Sequence, residues 1–80
     1  MRVLFYGRLA DAIGPELQLE LPPGCSVASI RERLASEYPT AAATLTTARA
    51  LTCVDGSFVR DDYLVTANDR VEFLPPLSGG

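Results

Sequence analysis

Pro75-Pro76-Leu77-Ser78-Gly79-Gly80 closes the sequence and offers its clearest route to chemistry. The chemistry would be acyl transfer at a main-chain carboxylate. Glycine has no Cβ, so a terminal Gly-Gly can pass down a channel too narrow for any side chain. The two prolines fix φ and lack an N–H, so sheet pairing is expected to stop there and the chain to project as an extended tail. Extended residues 75–80 would reach roughly 20 Å, enough to enter the active site of another protein. A C-terminal carboxylate has a pKa of about 3.5 and is ionised at neutral pH. It is a poor electrophile until something activates it. The competing reading of the same residues is an inert, flexible stub.

Nothing else in the sequence supplies that activation. There is no histidine, and all 7 basic residues are arginine. General-base work near neutrality therefore lacks its usual side chain. A Schiff-base lysine and an imidazole metal ligand are missing too. The adjacent Asp61 and Asp62 read as a solvated turn. Cys25 and Cys53 are far apart and make neither a disulfide framework nor a zinc site. Cys53 lies in an apolar run and reads as a small buried hydrophobe. Cys25 precedes a helix start, where a thiolate could be stabilised. No GxxxxGK[ST] phosphate loop occurs. The chain is expected to be no enzyme on its own, with no metal and no cofactor of its own. The missing lysines also confine self-acylation by an activated Gly80 to the N-terminus, although a genome that favours arginine explains them more simply.

At 80 residues the chain is expected to form one domain, with burial limited to roughly 60% of the unfolded surface. The net charge of −3 and the scattered arginines argue against nucleic-acid and anionic-membrane partners. No run approaches the ~18 apolar residues of a membrane span. Met1 to Tyr6 is too short for a signal peptide and leads directly into structure. The cytoplasm is the expected location.

The elements that must hold the tail follow from periodicity. Met1 to Tyr6 alternates, with Val3 and Phe5 on one face and Leu4 and Tyr6 on the other. Both faces are apolar, so a central strand, or one with a partner on its outer side, is expected. Gly7 ends it, and Arg8 to Ile13 suits a short helix stopped by Gly14-Pro15. Leu17, Leu19 and Leu21 alternate with polar residues and predict a half-buried second strand, broken at Pro22-Pro23-Gly24. Ser26 reads as an N-cap. Val27, Ile30, Leu34 and Tyr38, with Ala35, form the apolar stripe of the main helix, while Arg31, Glu32 and Arg33 are assigned to other faces. Pro39 marks its end. Thr40 to Thr47 holds a short second helix or a crossover. Ala50 to Val54 is a strand, Asp55-Gly56 a tight turn and Phe58-Val59 a return strand. Leu64-Val65 is an apolar anchor. A turn follows at Ala67-Asn68-Asp69, where Asn68 tolerates a left-handed conformation. Arg70 to Leu74 is the last strand, with Val71 and Phe73 inward. The order is β-β-α-β-β-β. It predicts an α+β, β-grasp (ubiquitin-like) domain: a mixed sheet of about five strands, one main helix on one face, and a flexible extended C-terminal tail. A ferredoxin-like split βαβ would need a second long helix, which residues 55–68 are too short and turn-rich to provide. The domain is placed at 1–74 and the tail at 75–80.

Three stretches resemble the small, MoaD-type sulfur carrier subunits of molybdopterin synthase. Val3-Leu4-Phe5-Tyr6-Gly7-Arg8-Leu9 resembles their first strand and the short helix after it. Cys53-Val54-Asp55-Gly56 resembles their Val-Asn-Gly hairpin. Asn68-Asp69-Arg70-Val71-Glu72-Phe73-Leu74-Pro75-Pro76-Leu77-Ser78-Gly79-Gly80 resembles their Gly-Asp-x-Val-x-Phe-x-Pro-Pro-Val-x-Gly-Gly ending, which is the most specific of the three. Asp55 stands for Asn and Asn68 for Gly, exchanges within residues that suit turns. Leu77 stands for Val.

The resemblance implies a cycle. An E1-like adenylating enzyme would use ATP to activate Gly80. A sulfur donor would make the thiocarboxylate. Residues Pro75, Pro76, Leu77, Ser78 and Gly79 would carry it into the large synthase subunit, for sulfur transfer to a cyclic pyranopterin precursor. Leu4, Tyr6 and Leu74, on the face opposite the expected core, suggest a docking surface near the root of the tail; coverage by the chain's own loop or short helix is the competing reading. Carriers for thiamine, cysteine or tRNA thiolation share the fold and the Gly-Gly end. A ubiquitin-like modifier joined to substrate lysines and a plain interaction domain are the readings from other classes.

Overall fold

Alternating apolar residues build the sheet, and one long capped helix with two short ones closes over it. The computed structural model describes residues 1–22, 24–46 and 50–74. Its elements are β1 (Arg2–Phe5), α1 (Arg8–Ile13), β2 (Glu16–Gln18), α2 (Val27–Glu37), a 3₁₀ turn (Pro39–Ala41), α3 (Ala42–Thr46), β3 (Leu51–Val54), β4 (Ser57–Val59) and β5 (Arg70–Leu74). The five strands form one mixed sheet in the order β2-β1-β5-β3-β4. β1 and β5 run parallel at its centre, and the other neighbouring pairs are antiparallel. This is the expected β-grasp architecture.

The core lies between the inner sheet face and the helices. Val3 and Phe5 of β1 stand beside Val71 and Phe73 of β5 by register, and all four are buried. Val27, Ile30 and Leu34 of α2 close over them, with Leu9 of α1 and Leu45 of α3. Each of these side chains contributes about 1.5–3 kcal/mol by leaving water. The rings of Phe5 and Phe73 stack at 5.9 Å with 14° between their planes.

Local chemistry fixes the ends of these elements. Ser26 is the N-cap of α2, and its Oγ accepts from the Ser29 N–H at 3.2 Å. The N–H groups of Val27 and Ala28 donate to the carbonyls of Tyr63 and Asp61, each at 2.9 Å. These three bonds satisfy donors that the helix start cannot pair internally. Between β3 and β4, Asp55 and Gly56 take φ of 49° and 88°. Two positive φ values in a two-residue loop are the requirement of a type I′ turn, which Asp-Gly meets. Asp55 also accepts from the Arg70 N–H at 3.1 Å through Oδ1, which ties the turn to β5.

Several expectations need correction. Arg31 is not on a solvated face. It is 7% exposed and belongs to the stripe Val27, Ile30, Arg31, Leu34, which has i, i+3, i+4, i+7 spacing. Its Nε donates to Asp61 Oδ1 at 2.9 Å and its Nη1 to the Leu45 carbonyl at 2.9 Å. Nη2 donates to the Ala50 carbonyl at 2.6 Å and to Thr52 Oγ1 at 2.8 Å. The guanidinium carbon lies 5.4 Å from the centre of the Phe73 ring. Asp61 is therefore an ion-pair partner rather than only a solvated turn residue. The second strand is shorter than its leucine alternation suggested. It ends at Gln18, although Leu19 still exchanges hydrogen bonds with Met1. Pro39 does mark the end of α2, whose C-cap is Tyr38, but helical structure resumes there in the 3₁₀ turn that leads into α3. Val65 anchors the loop before β5, but Leu64 is exposed. Asn68 does not use the left-handed region; among the described non-glycine residues only Asp55 does. The Asn68 turn is closed instead by Asp69, whose Oδ2 accepts from the Thr66 N–H at 2.8 Å.

Candidate functional site

Parallel pairing of β1 with β5 brings Phe5 and Leu74 to the same pole of the sheet, where the described residues end. The residues expected to carry the chemistry, Pro75, Pro76, Leu77, Ser78, Gly79 and Gly80, lie outside the described residues. The site that can be built is the surface around Leu74, the root of the tail.

Strand alternation sends Leu4, Glu72 and Leu74 to the outer face, opposite Val3, Phe5, Val71 and Phe73. Leu51 and Cys53 of β3 face the same way, since they pair with Leu74 and Glu72. Phe58 of β4 pairs with Cys53 and joins them. One row therefore crosses the sheet as Glu16, Leu4, Glu72, Cys53 and Phe58. Nearer the tail lie Leu51 and Leu74, with Tyr6 following the end of β1. Leu4 and Leu74 are half-buried, Tyr6 is 40% exposed and Phe58 is 69% exposed. The structure thus brings Leu4, Tyr6 and Leu74 to one face, together with residues that sequence reasoning did not single out.

Glu72 is the most informative of those. Its Oε2 accepts a hydrogen bond from the Tyr6 hydroxyl at 2.6 Å. Its Oε1 lies 3.6 Å from Arg70 Nη2. The bond to Glu72, with burial and the carboxylate charge in support, holds the Tyr6 phenol above its ordinary pKa. Across the sheet, Arg2 donates to Glu16 at 2.9 Å and keeps that carboxyl below its usual range. Burial, reinforced by the Glu72 charge, pushes the Cys53 thiol up. A thiol so placed is protonated at neutral pH and serves packing, not nucleophilic attack. Period-2 alternation in Arg70 to Leu74 would have placed Glu72 on the outer face, between Arg70 and Leu74.

Other features lie elsewhere. Cys25 is half-buried at the start of α2, and its carbonyl accepts from Val65. A concavity of about 370 Å³, lined in part by Met1, Leu19, Leu21 and Val65, sits at the pole opposite Leu74. Among the described residues, no group of three or more acids and cysteines is placed to hold a metal ion. No described helix is long and apolar enough to cross a membrane.

Comparison with known proteins gives these observations a family. The ThiS family matches residues 3–80. The molybdopterin synthase sulfur carrier subunit of Escherichia coli strain K12 is 26% identical over 80 residues, spanning 100% of this chain and 99% of that protein. Among solved structures, small archaeal modifier protein 1 of Haloferax volcanii is similar with a TM-score of 0.84 at 13% identity, over 95% of each chain. Urm1 of Trypanosoma brucei is similar with a TM-score of 0.70 at 23% identity, over 99% of this chain and 93% of that one. At such identities the likeness concerns the fold, which is the ubiquitin-like β-grasp. The chain belongs to the ThiS family.

Proposed function

We propose, from that family membership, that this protein is the sulfur carrier subunit of a molybdopterin synthase. In this reading an E1-like enzyme spends ATP to place AMP on the Gly80 carboxylate and releases pyrophosphate. A sulfur donor then attacks the acyl carbon, AMP leaves, and Gly80 becomes a thiocarboxylate. Pro75 through Gly79 carry it into the large subunit, where the sulfur bonds to a cyclic pyranopterin precursor and water cleaves the acyl carbon–sulfur bond, restoring the Gly80 carboxylate. The cycle runs in the cytoplasm. This chain contributes the carrier arm and the docking face of Leu4, Tyr6 and Leu74, while catalytic groups and ATP belong to its partners.

One observation carries the reading. The full-length match to a named synthase carrier subunit coincides with the Pro-Pro-Leu-Ser-Gly-Gly ending. Two physical points support it. The sequence holds no histidine or lysine able to activate its own carboxylate. The half-buried and exposed apolar residues of the outer face surround the root of the tail rather than a distant pole.

Blocking the terminus tests this directly. A short peptide fused after Gly80 is expected to abolish sulfur transfer in a reconstituted synthase while leaving the melting temperature unchanged. Full transfer by the extended protein would rule out every carrier scheme. Conjugates to other proteins on a denaturing gel would favour a modifier instead.

A further inference from the structure

We propose that Glu72 selects the partner that docks on the outer sheet face, and that this partner presents an arginine or lysine within an apolar rim. The inference rests on the docking reading above.

Glu72 stands on the central strand β5, between Leu4 on β1 and Cys53 on β3. Its side chain is only 16% exposed. A carboxylate there stands among the apolar side chains of Leu4, Cys53 and Leu74. Its own chain satisfies it only in part. Tyr6 supplies one hydrogen bond, at 2.6 Å, to Oε2. Arg70 approaches Oε1 no closer than 3.6 Å, within reach of an ion pair but beyond a good hydrogen bond. An ionised carboxylate offers about four lone-pair sites, so most of its accepting capacity is left to solvent. A partner that covers Leu4, Tyr6 and Leu74 removes that solvent. An apolar partner would leave the charge desolvated with one neutral donor and one long ion pair, and such burial opposes binding. A cationic donor aimed at Oε1 turns the same residue into an attraction. Arginine suits the place best, because its guanidinium is weakly hydrated and donates in a fork. Glu72 therefore rejects apolar faces as well as attracting basic ones.

A second copy of this chain is a poor occupant. The two arginines of this face each stand beside a carboxylate of their own chain, Arg2 at 2.9 Å from Glu16 and Arg70 at 3.6 Å from Glu72, so a second copy brings as many acids as bases to it. The chain's net charge of −3 opposes self-association further.

The test is calorimetric binding to the large molybdopterin synthase subunit of the same organism, at low and high salt. Glu72→Gln keeps the shape and removes the charge. It is expected to weaken binding by about tenfold and to flatten the salt dependence. Leu4→Asp is expected to abolish binding; Phe58→Asp, at an exposed position in the same row, replaces it should the first variant fail to fold. If Glu72→Gln binds within about twofold of the native protein with the same salt slope, as an unimportant exposed charge would, the inference fails. In that case loss of binding in the aspartate variant leaves the docking reading standing. Unchanged binding in the aspartate variant overturns both. Self-association of the native protein through this face, seen by light scattering and lost in the aspartate variant, overturns the assigned partner chemistry.

Discussion

On the inner face of the sheet Phe73 lies beneath the Arg31 guanidinium, and on the outer face its neighbour Glu72 lies beside the Tyr6 hydroxyl. Both faces bring a charged group up to apolar side chains of β5. Arg31 makes four hydrogen bonds and is almost sealed from water. Glu72 makes one, to a residue that is itself exposed. The inner charge is satisfied within the chain, so its role is to specify the fold. It ties α2 to the carbonyls of Leu45 and Ala50 and to β3. The outer charge keeps accepting capacity that its own chain does not use, which the proposed docking would draw on. In the proposed reading, one strand thus separates stability from recognition by the alternation of its side chains.

That separation can be broken from the inside first. Phe73→Ala removes a fully buried ring from the stack with Phe5 and the contact with Arg31. It is expected to cost about 3–5 kcal/mol, enough to unfold much of so small a domain at ambient temperature. Denaturant unfolding monitored by circular dichroism measures this, and a loss below about 1 kcal/mol would remove Phe73 from the core. Arg31→Met comes next. It keeps the apolar stem but strips donors from two buried carbonyls and from Thr52, at an expected cost of about 3 kcal/mol. Little or no change in the same unfolding experiment would reduce Arg31 to a bystander.

The outer face sharpens the contrast with a smaller effect. The Tyr6 phenol has its pKa raised in the fold, so the neutral form is favoured there. Its contribution holds below the ordinary tyrosine value and is lost as pH rises through the raised one. The titration of phenolate absorbance, taken as native minus Tyr6→Phe, isolates this group. Glu72→Gln is expected to lower its midpoint, because the acceptor loses its charge. An unmoved midpoint would mean that the carboxylate does not hold the phenol in solution.

Much of this contrast is legible in the sequence, and the illegible parts have physical causes. Strict alternation in Val3 to Tyr6 and Arg70 to Leu74 assigns both faces of the two central strands. Ser26 announces the start of α2 because its side chain can pair a helix N–H. Asp55-Gly56 announces its turn because both residues tolerate positive φ. Arg31 escapes notice because a charged residue on an apolar stripe is ordinarily solvated. Its acceptors lie on Leu45, Ala50, Thr52 and Asp61, which only the tertiary fold gathers around it. The bond from Tyr6 to Glu72 is likewise hidden, spanning 66 positions and depending on the parallel register of β1 with β5. The outer-face residues Leu4, Tyr6 and Leu74 could be named from their pattern, but the acid among them gains meaning only once the strands are paired.

The central claim is that Gly80 carries sulfur, and the intact mass of the protein tests it most directly. The chain is incubated with an adenylating enzyme, ATP and a sulfur source, then weighed whole and as its C-terminal peptide. The account predicts a species heavier by one sulfur-for-oxygen exchange, confined to that peptide and dependent on ATP. A mass that stays unmodified under these conditions would contradict it.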